Sequence, residues 1–327
     1  MAREGRGHVE AAEAVLKEAG FVVSQPCISR PSCFDFVARR EKKLILIKIQ
    51  PDIGNVTLND SQELGEISRD FSAASLLIGE EARERPLEDD TVYTRYATVA
   101  VTQKTFENVL LQNIPPLIRA NPGGYHVEIH GETLKQRRQK LGLSVREVAD
   151  MVGTSRRTIY GYERGLTKAS VPAAYNLVWA LGIPVARPVD IFQQFKVQHG
   201  HCLLTAARRV IRRNKLLNRI FRKLAPLHIT TVKKAPFDFV LKVPEEKMRI
   251  IGGVTNQKEP ELNRRVNEIL SISRVVKAHP ILITEGQLPE EKKIPCFNCD
   301  EFSNIKQLRD LIENVKQASS DENLFRP

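Results

Sequence analysis

Ser155, Arg156, Arg157 and Thr158 stand consecutively in the chain, with Thr154 just before them and Tyr160 just after. This row offers many hydrogen-bond donors and no negative charge. A guanidinium is a planar fork of N–H groups that matches a phosphate, or the O6 and N7 edge of guanine, through two parallel hydrogen bonds. Ser and Thr hydroxyls complement either target. The chemistry on offer is recognition of an anionic polymer, and it needs an element that holds these side chains on one exposed face.

The surrounding residues predict such an element. Leu143, Val145, Val148, Ala149 and Val152 recur at helical spacing, and Ile159 and Tyr162 continue the pattern in the next segment. Ser144 with Glu147 has the spacing of a capping box, so a short helix begins there. Gly153 suits the sharp turn that ends it, Ser155 is a suitable N-cap for the next helix, and Gly165 closes that one. Two short helices joined by a tight glycine turn make a helix-turn-helix, whose second helix can enter a major groove. An ordinary helical bundle would share the periodicity, yet it would not need the basic, hydroxyl-rich row at the start of the third helix.

From Glu132 to Leu181 the chain resembles the phage-repressor (Cro-like, or XRE) family, with Ala149, Gly153, Ile159, Tyr162, Glu163 and Gly165 at hallmark positions. The resemblance implies double-stranded DNA as partner. It places Thr154, Ser155, Arg156, Arg157, Thr158 and Tyr160 near base edges and adjacent phosphates, although Tyr160 could instead pack at the helix edge. Ser144 and Arg146 open the preceding helix, whose N-terminal amides and side chains are expected to hold backbone phosphate. Gly161 falls where family members often carry another base-reading side chain. Members usually act as homodimers on pseudo-palindromes, and the same is expected here.

Composition agrees. The 327 residues suffice for two or three domains, and 50 Lys and Arg against 39 Asp and Glu leave a net charge of +11. A basic balance favours a polyanionic partner, because each neutralised phosphate releases counterions. No apolar run approaches the roughly 20 residues of a membrane span. The segment Met-Ala-Arg-Glu-Gly-Arg-Gly lacks the apolar core of a signal peptide, so a cytoplasmic protein without membrane contact is expected. The five cysteines, Cys27, Cys33, Cys202, Cys296 and Cys299, are then reduced thiols by default. Cys296 and Cys299 have the spacing of a metal or redox pair. No second such pair or nearby His pair completes a zinc site, and simple burial is the alternative. No metal and no cofactor is expected.

A second basic group comprises Arg208, Arg209, Arg212, Arg213, Lys215, Arg219, Arg222 and Lys223, interleaved with Val210, Ile211, Leu216, Leu217, Ile220 and Phe221. It reads either as the solvated face of an amphipathic helix or as a phosphate-contacting surface, with Arg208, Arg209, Arg212 and Arg213 as the contact candidates.

Outside the helical region, helices alternate with apolar strands. A helix over His8–Ala19 precedes strands at Gly20–Ser24, Phe34–Arg39 and Leu44–Ile49; a helix over Leu58–Phe71 precedes a strand from Ala74 to Gly79. Ala97–Thr102 is expected as the last strand and Thr105–Leu111 as the closing helix. Pro115-Pro116 and Pro122-Gly-Gly124 punctuate the exit, and Tyr125–Ile129 is a short strand into the helical region. The pattern returns later. Ala235-Pro-Phe-Asp-Phe-Val-Leu-Lys repeats Ser32-Cys-Phe-Asp-Phe-Val-Ala-Arg, Met248-Arg-Ile-Ile stands for Leu44-Ile-Leu-Ile, and a helix over Glu261–Ser273 leads to Pro280-Ile-Leu-Ile-Thr. Ile294-Pro-Cys-Phe and a helix from Phe302 to Ile312 complete the second copy. The expected fold class is multidomain α/β plus all-α, an XRE-type helix-turn-helix bundle flanked by two α/β lobes. The expected domains are a lobe at 1–121, the DNA-binding domain at 125–195, and the basic helix with the second lobe at 200–327.

The helix, the Gly-Phe strand, the Asp strand and the Lys-bearing strand of the first lobe resemble the restriction-endonuclease-like fold, especially archaeal Holliday-junction resolvases. That resemblance implies an Asp at one strand end and an acidic-x-Lys motif on the next strand, with the carboxylates holding Mg²⁺ and the Lys helping to activate water. Asp35 and Lys48 match, but Leu46 stands where the second acid belongs. In the second lobe Asp238 remains, with Ile250 and Gly252 read in place of the acid and the Lys. The expectation is two lobes kept as scaffold, for dimerisation or sensing, with no catalytic residues. Asp52 and Glu10 are the acids that could have migrated into the site. The whole arrangement resembles archaeal HTH-type transcriptional regulators, which carry such a lobe before repressor-like helices. The expected function is sequence-specific transcriptional regulation. A structure-specific nuclease or junction-binding protein that docks through its helix-turn-helix is the alternative, and an RNA- or basal-factor-associated protein a third.

Overall fold

The computed structural model describes residues 2–193, 228–243, 248–255, 259–284, 294–298 and 313. The basic group with Arg208, Arg209, Arg212 and Arg213, the thiols Cys202 and Cys299, and the expected helix from Phe302 to Ile312 lie outside them. The chain forms two compact units: Met1–Ile49 and Val56–Leu76 join the described parts of Gln194–Pro327 in the first, while Gln50–Asn55 and Leu77–Gln193 make the second.

The first unit begins with α1 (Ala2–Glu18), β1 (Val22–Val23), β2 (Phe36–Arg40), β3 (Lys43–Ile49), α2 (Leu58–Phe71) and the first three residues of β4 (Ala74–Ile78). β3 is buried along nearly its whole length, as its continuous apolar run predicts. β1 is only two residues long, shorter than the five-residue strand expected there. α2 starts at a Thr57–Asp60 capping box and stops at Ser72, which adopts the left-handed conformation.

In the second unit follow β5 (Glu81–Ala82), β6 (Arg85–Pro86), β7 (Thr91–Arg95), β8 (Thr98–Val101), α3 (Gln103–Leu111), β9 (Ile118–Asn121), β10 (Gly124–Val127), α4 (Gly131–Lys140), α5 (Val145–Val152), α6 (Arg156–Glu163), β11 (Ala169–Ser170) and α7 (Val171–Leu181). β8 is not the last strand of this region, as the sequence suggested. β7 pairs with it antiparallel, and β9 pairs with β7 parallel. β7 (Thr-Val-Tyr-Thr-Arg) and β9 (Ile-Arg-Ala-Asn) carry too few apolar residues for a period to stand out. Pro122-Gly-Gly124 joins β9 to β10 in an antiparallel hairpin. The helical core gathers Val127 and Ile129 with Leu134, Val148, Ala149, Val152, Ile159, Tyr162, Leu177 and Leu181. Leu143 and Val145 pack at its margin.

The second lobe returns to the first unit with β12 (His228–Thr231), β13 (Phe239–Val243), β14 (Met248–Thr255), α8 (Leu262–Val276), β15 (His279–Thr284) and β16 (Cys296–Asn298). These strands form one sheet in sequence order, and β14, β15 and β16 run parallel. The internal repeat is real at the level of hydrogen bonds. Asp35 N–H donates to Ile47 O as Asp238 N–H does to Gly252 O, at 2.7 and 2.8 Å. Phe36 pairs with Ile47 as Phe239 pairs with Gly252. This register corrects the alignment read from sequence: Leu46 corresponds to Ile251 and Lys48 to Gly253, not to Ile250 and Gly252. Two more residues separate β13 from β14 than separate β2 from β3, and periodicity alone does not register that insertion.

Within this unit the lobes exchange contacts reciprocally. Glu63 of α2 accepts the N–H groups of Lys233 and Lys234, while Glu268 of α8 accepts those of Ile28 and Ser29. Arg39 donates to the carbonyls of Val275 and Val276 at the end of α8, and Lys242 pairs with Asp70 at the end of α2, at 2.8 Å. The Phe34 and Phe237 rings meet at 6.2 Å between centroids.

Candidate nucleic-acid interface

The helix-turn-helix is built from local signals. Ser144 N–H donates to Glu147 Oε2 at 2.7 Å, and Glu147 N–H donates to Ser144 Oγ at 3.2 Å, so α5 begins at the anticipated capping box. Gly153 takes the left-handed conformation at φ 73°, where a side chain would be strained. Thr154 N–H then reaches Ala149 O at 2.9 Å. Ser155 caps α6 by accepting the Thr158 N–H at 3.1 Å.

α6 presents Arg156, Arg157 and Tyr160 to solvent, while Ile159, Gly161 and Tyr162 are buried. Arg164, directly after the helix, is also exposed and continues the same stripe at helical spacing. The sequence reading omitted it, although its position four residues beyond Tyr160 is a readable signal. Tyr160 is half exposed rather than tucked against the core. Gly161 does not lie on the outward face: a Cβ there would come within 2.4 Å of Thr167 Oγ1. The glycine answers to packing against Thr167. Ser155 and Thr158 share a hydroxyl contact at 2.8 Å, so part of their hydrogen-bonding capacity is spent inside the helix start.

Arg146 is exposed on α5 and only loosely paired with Asp150, at 3.8 Å. The hydrogen bonds from Ser144 hold the Glu147 carboxyl below its ordinary range, so the start of α5 carries a negative charge beside its free amides. That charge opposes a phosphate at this helix end. Ser144 is committed to the capping box, whereas the Arg146 guanidinium stays largely exposed. Glu163 makes a two-pronged pair with Arg138, at 2.6 and 3.2 Å, with both side chains almost buried. Hydrogen bonding to Glu163 raises the Arg138 guanidinium pKa. Arg137 donates to Leu181 O at 2.8 Å and so ties α4 to the end of α7. These two arginines hold the scaffold, whereas Arg156 and Arg157 of α6 face solvent.

In the first lobe Asp35 is used up locally. Its Oδ1 accepts Lys48 Nζ at 2.9 Å and its Oδ2 accepts the Ile49 N–H at 2.6 Å. Leu46 is fully buried and apolar. Asp52 accepts the Gly54 and Arg83 N–H groups, at 2.7 and 3.0 Å, and shapes a loop in the second unit. Glu10 is exposed on α1. In the second lobe Arg265, fully buried, donates to both Asp238 and Glu259, and Arg30 joins the same two carboxylates. Among the described residues no group of three or more His, Cys, Asp or Glu is placed to hold a metal ion. Cys27 and Cys33 are buried, and burial is the largest cause pushing both thiols up. Cys296 donates to Ile294 O at 3.2 Å.

Comparison with known proteins assigns the same two parts. Residues 6–116 match a PD-(D/E)XK superfamily domain and residues 134–187 match a helix-turn-helix. Proteins named "Putative HTH-type transcriptional regulatory protein" are similar over almost the whole chain. The one from Methanocaldococcus jannaschii is 32% identical over 94% of this chain and 95% of its own length. Those from Pyrococcus furiosus and Thermococcus kodakarensis are both 30% identical, covering 94% and 97% of this chain and 96% and 98% of their own. No solved structure matches. No helix among the described residues is long and apolar enough to cross a membrane.

Proposed function

The chain belongs to the archaeal HTH-type transcriptional regulatory protein family, and from that membership we propose that it regulates transcription by binding specific double-stranded DNA in the cytoplasm. The observation that carries this reading is the outward stripe of α6, where Arg156, Arg157, Tyr160 and Arg164 are exposed along one face. Arg156 and Arg157 take guanine edges in the major groove. Thr154, Ser155 and Thr158 sit at the helix start, beside the phosphates that flank the groove. Arg146, with Ser144, contacts backbone and sets the register. The cluster Arg208, Arg209, Arg212 and Arg213 adds a sequence-independent attraction to phosphate. A single helix-turn-helix reads a half-site, so the working form is a homodimer on two half-sites about one helical turn apart.

The α/β lobes act as scaffold and not as a nuclease. A Mg²⁺ site of this kind asks for acids on neighbouring strands, and Leu46 and Ile251 supply none. Selection from a random duplex library by the full chain tests the regulator reading. Enrichment of one motif with two related half-sites is expected. Recovery of unrelated sequences, or a preference for four-way junctions over duplex, would sink it.

A further inference from the structure

We infer that the second copy docks through the outer face of α7, on an aromatic stripe formed by Tyr175 and Trp179; this rests on the homodimer reading above. Trp179 is 78% exposed and Tyr175 63% exposed, one helical turn apart on the same face. Large aromatic side chains left this open on a soluble domain mark a contact surface. The helix beneath them is fixed. Ala174, Leu177 and Leu181 anchor its opposite face in the core, Asn176 Nδ2 donates to Val152 O at 3.3 Å, and Ser170 caps its start.

Three observations choose a second copy as occupant. First, α7 (Val-Pro-Ala-Ala-Tyr-Asn-Leu-Val-Trp-Ala-Leu) has no charged residue, in a chain of net charge +11. Such a face does not serve a polyanion, and it lets two like-charged copies approach without repulsion. Second, the i, i+4 spacing suits a two-fold axis: antiparallel α7 helices set Trp179 of each copy against Tyr175 of the other. Third, one face of each endonuclease-like lobe is already taken within the chain, where Glu63, Glu268, Arg39 and Lys242 join the two lobes, so those faces are closed to a second copy. Four aromatic side chains of this exposure contribute on the order of 500 Å². That is below the roughly 1,200 Å² of a small stable interface, so the dimer is weak when free and is completed on DNA.

Trp179 is the single tryptophan of the chain, so its fluorescence reports on this surface directly. Sedimentation of the full chain across a concentration series, with emission recorded in parallel, is the experiment. As mass rises towards a dimer, emission should shift to the blue and iodide quenching should fall. Tyr175→Glu and Trp179→Glu should keep the circular dichroism and melting temperature, remain monomeric, and lose more than tenfold affinity for a selected two-half-site duplex while matching wild type on a single half-site. A dimer that persists in both variants removes α7 as the surface but leaves the dimer standing. Blue-shifted emission from a monomer means that the chain covers its own stripe, which also removes the surface. A wild-type chain that is monomeric both free and on the selected duplex overturns the dimer reading itself.

Discussion

Arg265 does in the second lobe what Lys48 does in the first, from a different element. Lys48 reaches Asp35 from β3 at 2.9 Å, whereas Arg265 reaches Asp238 from α8. Gly253 holds the strand position equivalent to Lys48, and a Cβ there would lie 3.5 Å from Arg265 Nη2. The cation sits on the helix instead of the strand, and the space beside Gly253 is bounded most closely by Ile269 Cδ1 and Leu282 Cδ1, at 3.0 and 3.1 Å. Each strand-end aspartate is held by structural ion pairs, Asp35 with Lys48 and Asp238 with Arg265 and Arg30.

Arg265→Ala should therefore cost about 3–5 kcal/mol, because Asp238 and Glu259 would lose their buried partner and keep the partly exposed Arg30. Lys48→Ala, at a partly exposed pair, should cost roughly 1–2 kcal/mol. Urea denaturation of the two variants measures both. Equal losses would mean that the buried cluster is no more than a surface pair.

No metal-dependent cleavage is expected from the purified chain. Both oxygens of Asp35 are already engaged, by Lys48 and by the Ile49 N–H. Incubation with four-way junctions, linear duplex and single strands in Mg²⁺ or Mn²⁺ provides the check. Cutting that vanishes in Asp35→Asn would restore the lobe to catalysis.

Arg157→Ala should lose about 1–3 kcal/mol on the selected site and relax the preference at one base pair. Arg146→Ala should instead weaken specific and random duplexes alike and lower the salt slope by about 1; Arg212→Ala is expected to behave like it. Binding titrations over a range of salt separate the two patterns. Equal losses on both kinds of DNA for Arg157→Ala would refute direct readout.

Asp60 and Lys234 join α2 to the second lobe, and they predict how its stability depends on pH. Burial raises the Asp60 carboxyl, but hydrogen bonds from Lys234 and Thr57 outweigh it and leave the group below its ordinary value. Hydrogen bonding to Asp60 lifts the Lys234 ammonium above its own. The Asp60 contribution is then complete above about pH 4 and fades as pH falls through the depressed folded value. That of Lys234 is complete below about pH 10 and fades as pH rises through its raised value. The pair is partly exposed, so Asp60→Asn should cost no more than about 1 kcal/mol at neutral pH. It should also flatten the acid limb of a melting-temperature profile. An unchanged acid limb would show that other carboxylates carry it.

The helix-turn-helix was legible in the amino-acid order because its signals are local. The Ser144–Glu147 box, the left-handed Gly153 and the Ser155 cap each act within a few residues, and the apolar period of α5 and α6 needs no knowledge of what covers it. The Phe-Asp-Phe-Val repeat likewise marked the strand pairing that β13 and β14 share with β2 and β3. Other features waited for the tertiary structure. Arg138 meets Glu163 across 25 positions, Arg265 finds Asp238 across 27, and Glu268 caps Ser29 across 239. The inward turn of Gly161 depended on Thr167, and the match of Gly253 to Lys48 depended on two extra residues between the paired strands. A charge or a gap in the chain has no partner until packing brings one to it. Such pairs are therefore settled by the fold, while caps and periods are settled by neighbours already joined through the backbone.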